Sequence, residues 1–170
     1  NGQIINFANI ARDVGADIKT VQTYFEILED TLLGFILAPY HRSVRKRQMK
    51  NPKFYFFDPG VQRALERTLD QRLLPQTYAF GRTFEHWVIT EANRLNSYFQ
   101  KDFRFSYMRT HHGVEIDLVV ERPGLPVALV EIKSIDRVDE RQTRSLEAIL
   151  KDFGKAETFV FSRDPRPKKI

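Results

Sequence analysis

Val114-Glu115-Ile116-Asp117-Leu118-Val119-Val120 and Val127-Ala128-Leu129-Val130-Glu131-Ile132-Lys133 are two apolar runs carrying charge where buried strands normally carry none. In the second run, apolar residues fill both alternating faces over four positions, as in a strand covered on both sides. Side chains alternate, so Glu131 and Lys133 share a face with Val127 and Leu129. Asp117 lies between Ile116 and Leu118 in the same way. A charge buried alone is costly, so each of these groups needs a partner or a metal. Strand register can set Asp117 beside Glu131, where two carboxylates repel unless a cation or proton sits between them.

Working outward, Arg122-Pro123-Gly124-Leu125-Pro126 reads as a turn joining the two strands. A strand over Phe103 to Arg109 precedes them, followed by the Thr110-His111-His112-Gly113 turn. Before it, Phe84, Val88, Ala92 and Leu95 give an apolar face to a helix from about Gly81 to Ser97. After Lys133, the spacing predicts a helix from about Val138 to Phe153, with Leu146, Ile149, Leu150 and Phe153 on one face. A strand over Glu157 to Phe161 ends the series. Short turns make the first three strands an antiparallel meander, and the intervening helix makes a parallel crossover. The expected order is αβββαβ with a mixed sheet.

Oxygen ligands around a hard divalent cation are what Mg²⁺ or Mn²⁺ prefers. The expected metal set is Asp117, Glu131 and a third carboxylate, Glu85, at the edge of the long helix's apolar face. Glu91 is a weaker third choice. Such an ion can polarise a phosphate and lower the pKa of a bound water. Lys133 then orients or deprotonates that water, or stabilises the phosphorane. Glu85, Asp117, Glu131 and Lys133 are thus the expected catalytic residues, spaced as in a PD-(D/E)xK nuclease-type site. A lone Glu-x-Lys is also a common ion pair; it is the addition of Asp117, Glu85 and the element order that favours a site.

The N-terminal part, residues 1–60, has another pattern, and the fold class expected for the whole chain is α+β. Ile5, Ala8, Ile10, Ala11 and Val14 predict a helix ended by Gly15. Asp17 or Ile18 opens a second helix with a stripe of Val21, Tyr24, Phe25, Leu28 and Leu32, ended by Gly34. Phe35 to Ala38 and Phe54 to Phe57 read as paired strands. Helix, turn, helix and two-stranded ribbon is the order of a winged helix-turn-helix. Arg42, Arg45, Lys46, Arg47, Lys50 and Lys53 fall at the expected wing tip, within twelve residues. Such a cluster suits DNA phosphates. Lys19, Thr20, Gln22 and Thr23 on the second helix are polar groups able to reach bases, while Glu26, Glu29 and Asp30 oppose deep docking. Arg109 and His111, with Arg82 and His112, are further phosphate candidates, a solvated turn being the plainer reading of the histidines. Residues 61–77 read as a turn-rich connector, 78–163 as the second domain and 164–170 as a basic tail.

Bulk properties narrow the classes. The net charge is +5 and the isoelectric point about 9.5, which agrees with a nucleic-acid partner without establishing one. Fourteen phenylalanines supply a core. No run approaches the roughly 18 apolar residues of a membrane span. Cysteine is absent, which excludes disulfides and thiolate metal sites and suits a reducing cytoplasm, the expected location. The chain opens Asn1-Gly2-Gln3 without Met, which predicts a fragment of a longer protein.

Lys53-Phe54-Tyr55-Phe56-Phe57-Asp58-Pro59-Gly60, Gly81-Arg82-Thr83-Phe84-Glu85, Glu115-Ile116-Asp117-Leu118-Val119 and Val130-Glu131-Ile132-Lys133 carry a resemblance. Through them the chain resembles the domain of unknown function that follows the ATPase module in a group of prokaryotic AAA+ proteins. The resemblance spans most of the chain. Asp58-Pro59-Gly60 departs slightly from the commoner Asp-Thr-Gly. It implies a winged helix followed by a restriction-endonuclease-type fold, with motifs on Glu85, Asp117, Glu131 and Lys133. It also implies an N-terminal ATPase module as partner; this chain has no Walker-type glycine loop, hence no ATP site. Gln142 stands where some nucleases of this fold carry a Gln, but Leu146 replaces the Tyr one turn later. The expected function is DNA binding with a Mg²⁺- or Mn²⁺-dependent nuclease site. The alternatives are a non-catalytic nucleic-acid-binding regulatory module of the ATPase and a protein-interaction adaptor. Nucleic-acid type, sequence preference and oligomeric state are left open.

Overall fold

The computed structural model describes residues 2–41, 51–110, 113–139, 143–153 and 155–167. The chain divides into two units, Asn1–Asp70 and Gln71–Ile170. Both mix helix and strand, with a two-stranded antiparallel sheet in the first and a four-stranded mixed sheet in the second. Among the described residues no helix is long and apolar enough to cross a membrane.

In the first unit, α1 (Phe7–Val14) starts where the Asn6 side chain accepts the Asn9 amide at 3.0 Å, and it stops at Gly15, at φ 68°. Two residues later Asp17 caps α2 (Ile18–Asp30). Strands β1 (Gly34–Leu37) and β2 (Lys53–Phe56) then pair, Gly34 opposite Phe56 and Leu37 opposite Lys53. Edge-to-face rings tie helices to sheet: Phe7 on Phe25 at 5.5 Å, and Phe25 on Phe54 at 5.2 Å. Val21, Phe54 and the fully buried Tyr55 complete this core.

The structure corrects three expectations here. Helix α2 ends at Asp30, not at Gly34. The Leu33 amide closes on the Leu28 carbonyl at 2.9 Å, and the left-handed position falls to Leu32, at φ 59° and 80% exposed. Leu32 and Tyr24 are therefore not part of the buried stripe. Gly34 serves strand packing instead: a Cβ there would lie 2.2 Å from Phe54 Cζ and 2.5 Å from the Tyr55 carbonyl. The expected connector holds a helix, α3 (Pro59–Leu65), capped by Asp58 with Pro59 in its first turn. Proline fits there because that amide needs no partner.

The second unit runs α4 (Tyr78–Tyr98), β3 (Arg104–Arg109), β4 (Glu115–Glu121), β5 (Val127–Lys133), α5 (Arg144–Phe153) and β6 (Ala156–Ser162). This is the expected αβββαβ order. The sheet order is β3-β4-β5-β6; the first two pairings are antiparallel and β5–β6 is parallel. Helix α5 begins at Arg144, later than expected, where Thr143 Oγ1 donates to Glu147 at 2.9 Å. Ile116, Leu118, Val119, Leu129, Val130 and Ile132 are buried between sheet and helices, with Ile89, Leu146 and Ile149 on them.

Candidate metal and phosphate site

Strands β4 and β5 pair through Leu118–Val130, Val119–Leu129 and Val120–Ala128, and their ladder pairing stops there. Asp117 and Glu131 follow on the same face, one step beyond the last pair. The Asp117 side chain fills the gap: its Oδ2 accepts the Ile132 amide at 2.7 Å. A carboxylate thus takes the place of a ladder carbonyl, and the two strand ends part around it.

Glu131 is 4% exposed. Its Oε1 lies 2.5 Å from Lys133 Nζ, an ion pair between alternate residues of one strand. Its Oε2 is buried and has no hydrogen-bond partner among the described residues. Burial, then the charges of Glu85 and Glu131, push the Asp117 carboxyl up to about 7, with the Ile132 bond and Lys133 offsetting part of the rise. Burial pulls Lys133 down, but the Glu131 hydrogen bond and the charges of Glu131, Asp117 and Glu85 outweigh it, so its pKa is raised.

Glu85 reaches the site from α4. One turn earlier, Gly81 lies beside the end of β5: a Cβ there would make an ordinary contact with Ser134 Oγ at 3.5 Å. Glu85, Asp117, Glu131 and Lys133 therefore form one electrostatic cluster. The three carboxylates do not close into a ligand shell: among the described residues, no group of three or more His, Cys, Asp or Glu side chains is placed to hold an ion.

The nucleic-acid candidates scatter. Lys19 is exposed on α2. Thr20 is held by Asp17, which accepts both its amide at 2.9 Å and its hydroxyl, so its side chain caps the helix. Arg109 is exposed at the end of β3, opposite Glu115. Arg42, Arg45, Lys46, Arg47, Lys50, His111, His112 and Gln142 lie outside the described residues.

Arg163, the last residue of the expected second domain, is not among the sequence's candidate site residues. It follows Ser162, the register partner of Lys133. Its amide donates to the Ile135 carbonyl at 2.9 Å, its guanidinium lies 3.2 Å from Asp136, and it covers the Phe80 ring at 5.1 Å. Only β5–β6 pairing reveals that placement. A cleft of about 1230 Å³, bounded by Phe84 and Val88 of α4, Leu118 and Val130 of the sheet, and Leu146 and Leu150 of α5, is mainly apolar. By alternation, Leu118 and Val130 point away from the face carrying Asp117 and Glu131.

The model of the family described as "Domain of unknown function (DUF4143)" matches residues 80–169, so the chain belongs to that family, which is typically found with AAA ATPases. A second model, "Domain of unknown function (DUF8612)", matches residues 1–72. The chain is 30% identical over 133 residues to uncharacterized proteins of Mycobacterium tuberculosis and Mycobacterium bovis. That alignment covers 78% of this chain but only 29% of each relative's length. No solved structure matches it.

Proposed function

We propose that residues 78–163 form a PD-(D/E)xK nuclease-like domain that hydrolyses DNA phosphodiesters with Mg²⁺ or Mn²⁺. Residues 1–60 form a winged helix-turn-helix that holds the duplex through the basic segment 42–50. The protein works in the cytoplasm beside an AAA+ ATPase module, a partnership supported by its family. The observation carrying the reading is the buried Glu131 Oε2, which has no hydrogen-bond partner among the described residues, beside the perturbed carboxyl of Asp117. A buried oxygen without a partner needs an explanation, and for a carboxylate oxygen beside a second carboxylate a bound cation supplies one.

The donor chemistry fits a hard divalent cation: Asp117 and Glu131 would hold it, with Glu85 as the added negative charge. Such an ion, when bound, polarises a phosphate oxygen and acidifies a water. The protein's own residues do the rest. The Asp117–Ile132 bond fixes one carboxylate against the backbone. Lys133, with its raised pKa, stays cationic at neutral pH. It therefore serves as a charge that orients or stabilises, not as the base. Arg163 supplies a second cation near the end of β6.

The test is plasmid cleavage by the chain with Mn²⁺ or Mg²⁺, compared with Lys133→Ala and Asp117→Asn. Cleavage lost in both variants supports the reading; equal, negligible cleavage by all three sinks it. A second reading, a non-catalytic nucleic-acid-binding module of the ATPase, is favoured by the closed Glu131–Lys133 pair and by the lack of a three-donor shell among the described residues. Gel shifts on duplex DNA at stepped salt test it, and no shift at low salt counts against it.

A further inference from the structure

The sheet of the second unit has two edges, and they are built differently. Strand β3 carries Arg104 and Arg109 at its ends and a register shift between Ser106 and Met108. Charges and bulges of this kind are what keeps an edge from pairing with another chain. Strand β6, Ala156-Glu157-Thr158-Phe159-Val160-Phe161-Ser162, has no Lys, Pro, Gly or bulge. It pairs with β5 over all seven residues, so its other edge runs straight. Its two rings are uncovered: Phe159 is 39% exposed and Phe161 44%. Both line the apolar cleft.

An apolar, regular and unguarded edge is a template for strand addition. The sequence of β6 also fits itself. Set antiparallel to a second copy about Val160, Phe159 faces Phe161, Thr158 faces Ser162, and Glu157 faces Arg163. The charges are complementary at both ends, where Glu157 would be shared with Arg122 and Arg163 with Asp136, their ion-pair partners within the chain, and the rings cluster at the centre. Because Val130 and Ile132 are the register partners of Phe159 and Phe161, all four rings of the pair fall on the cleft face. Opposite-charge and aromatic pairs across strands are both stabilising. One-residue shifts of the two-fold, to Phe159 or Phe161, lose the Glu157–Arg163 match.

We propose that β6 is a homodimerisation edge, and that two copies join antiparallel about Val160 into one continuous eight-stranded sheet. The edge is the side of β6 turned away from β5, which carries Glu131 and Lys133, and the inference does not depend on the proposed cleavage activity.

The chain contains no cysteine, so single cysteines report the register directly. Thr158→Cys, Phe159→Cys, Val160→Cys, Phe161→Cys and Ser162→Cys are each prepared and oxidised mildly, then run on non-reducing gels. Val160→Cys should give the highest yield of disulfide-linked dimer, because only position 160 meets itself. Sedimentation of the unmodified chain should give twice its 20.0 kDa mass. Phe159→Lys with Phe161→Lys should return it to a single mass with an unchanged circular dichroism spectrum. A monomer at about 0.5 mM, or cross-linking that peaks elsewhere or is uniform, overturns the proposal. So does a dimer that survives the double lysine variant. If that variant loses its fold, Val160→Cys set against Thr158→Cys and Ser162→Cys, three replacements that change size little and keep both rings, still decides.

Discussion

Replacing Asp117 with Asn keeps the amide acceptor for Ile132 and removes one ionisation. In the folded chain that carboxyl is raised from 3.8 to about 7, first by burial, then by Glu85 from α4 and Glu131 from β5, with Lys133 partly offsetting. Between those two values the folded state binds more protons than the unfolded one. Stability therefore falls as pH rises through the window and is level above it. From pH 5 to pH 8 the difference integrates to about 2.5 kcal/mol, an order-of-magnitude figure for one coupled group. Trp87, the single tryptophan, lies on α4 in the same unit, so its fluorescence follows that unit's unfolding. The urea midpoint of the wild-type chain should drop by roughly 1–2 M more than that of Asp117→Asn between pH 5 and pH 8. The variant shares every other titrating group, so the comparison reports Asp117 together with the groups coupled to it. Parallel pH profiles for the two proteins would refute the raised pKa, and with it the claim that burial and two carboxylates crowd this position.

Mn²⁺ at millimolar concentration should recover much of the wild-type loss at pH 8 and little of any in Asp117→Asn, as seen in the same urea titrations. Lys133→Ala leaves the Glu131 charge uncompensated; since the lysine is 39% exposed, the expected cost is only about 1–2 kcal/mol, read from the Trp87 midpoint. Gly34→Ala drives a methyl into Phe54 and the Tyr55 carbonyl and should destabilise the first unit by about 1–3 kcal/mol, measured by thermal denaturation. Asp58→Ala removes the α3 cap and should cost about 1 kcal/mol in the same melt.

The charged strands were legible because strand alternation is local: Asp117, Glu131 and Lys133 announce themselves against the apolar residues around them. The Gly15 and Asp17 helix boundaries were legible for the same reason. The end of α2 was not. A glycine suggested the stop, yet Gly34 is needed because Phe54 crosses it from another strand, a demand no local pattern carries. The Asp58-Pro59 start of α3 was readable as a cap followed by proline, but seven residues give too little periodicity to hold a helix against a turn. Arg163 became a neighbour of Lys133 only through the parallel pairing of β6 with β5, which depends on the crossover and its helix. Glu85 was placed by helix phase, but whether it would ligate or merely repel depends on distance, and the structure gives it charge coupling without a shared shell.

That difference bears on why the cluster exists. Two buried carboxylates and a nearby third repel each other, and one lysine compensates through one oxygen of Glu131. Apolar residues of like volume at such positions are often as stable or more so. Folding stability therefore gives no reason for Asp117 beside Glu131; the pair raises the free energy of the ionised fold. What would lower it is a positive charge entering between them, and Glu131 Oε2 has no hydrogen-bond partner among the described residues. A cation and the phosphate it brings would supply that charge. A purely regulatory domain has no use for so costly an arrangement unless its partner contributes the same charge, and metal-dependent recovery of stability in the wild-type chain, absent in Asp117→Asn, separates these cases without any cleavage being measured.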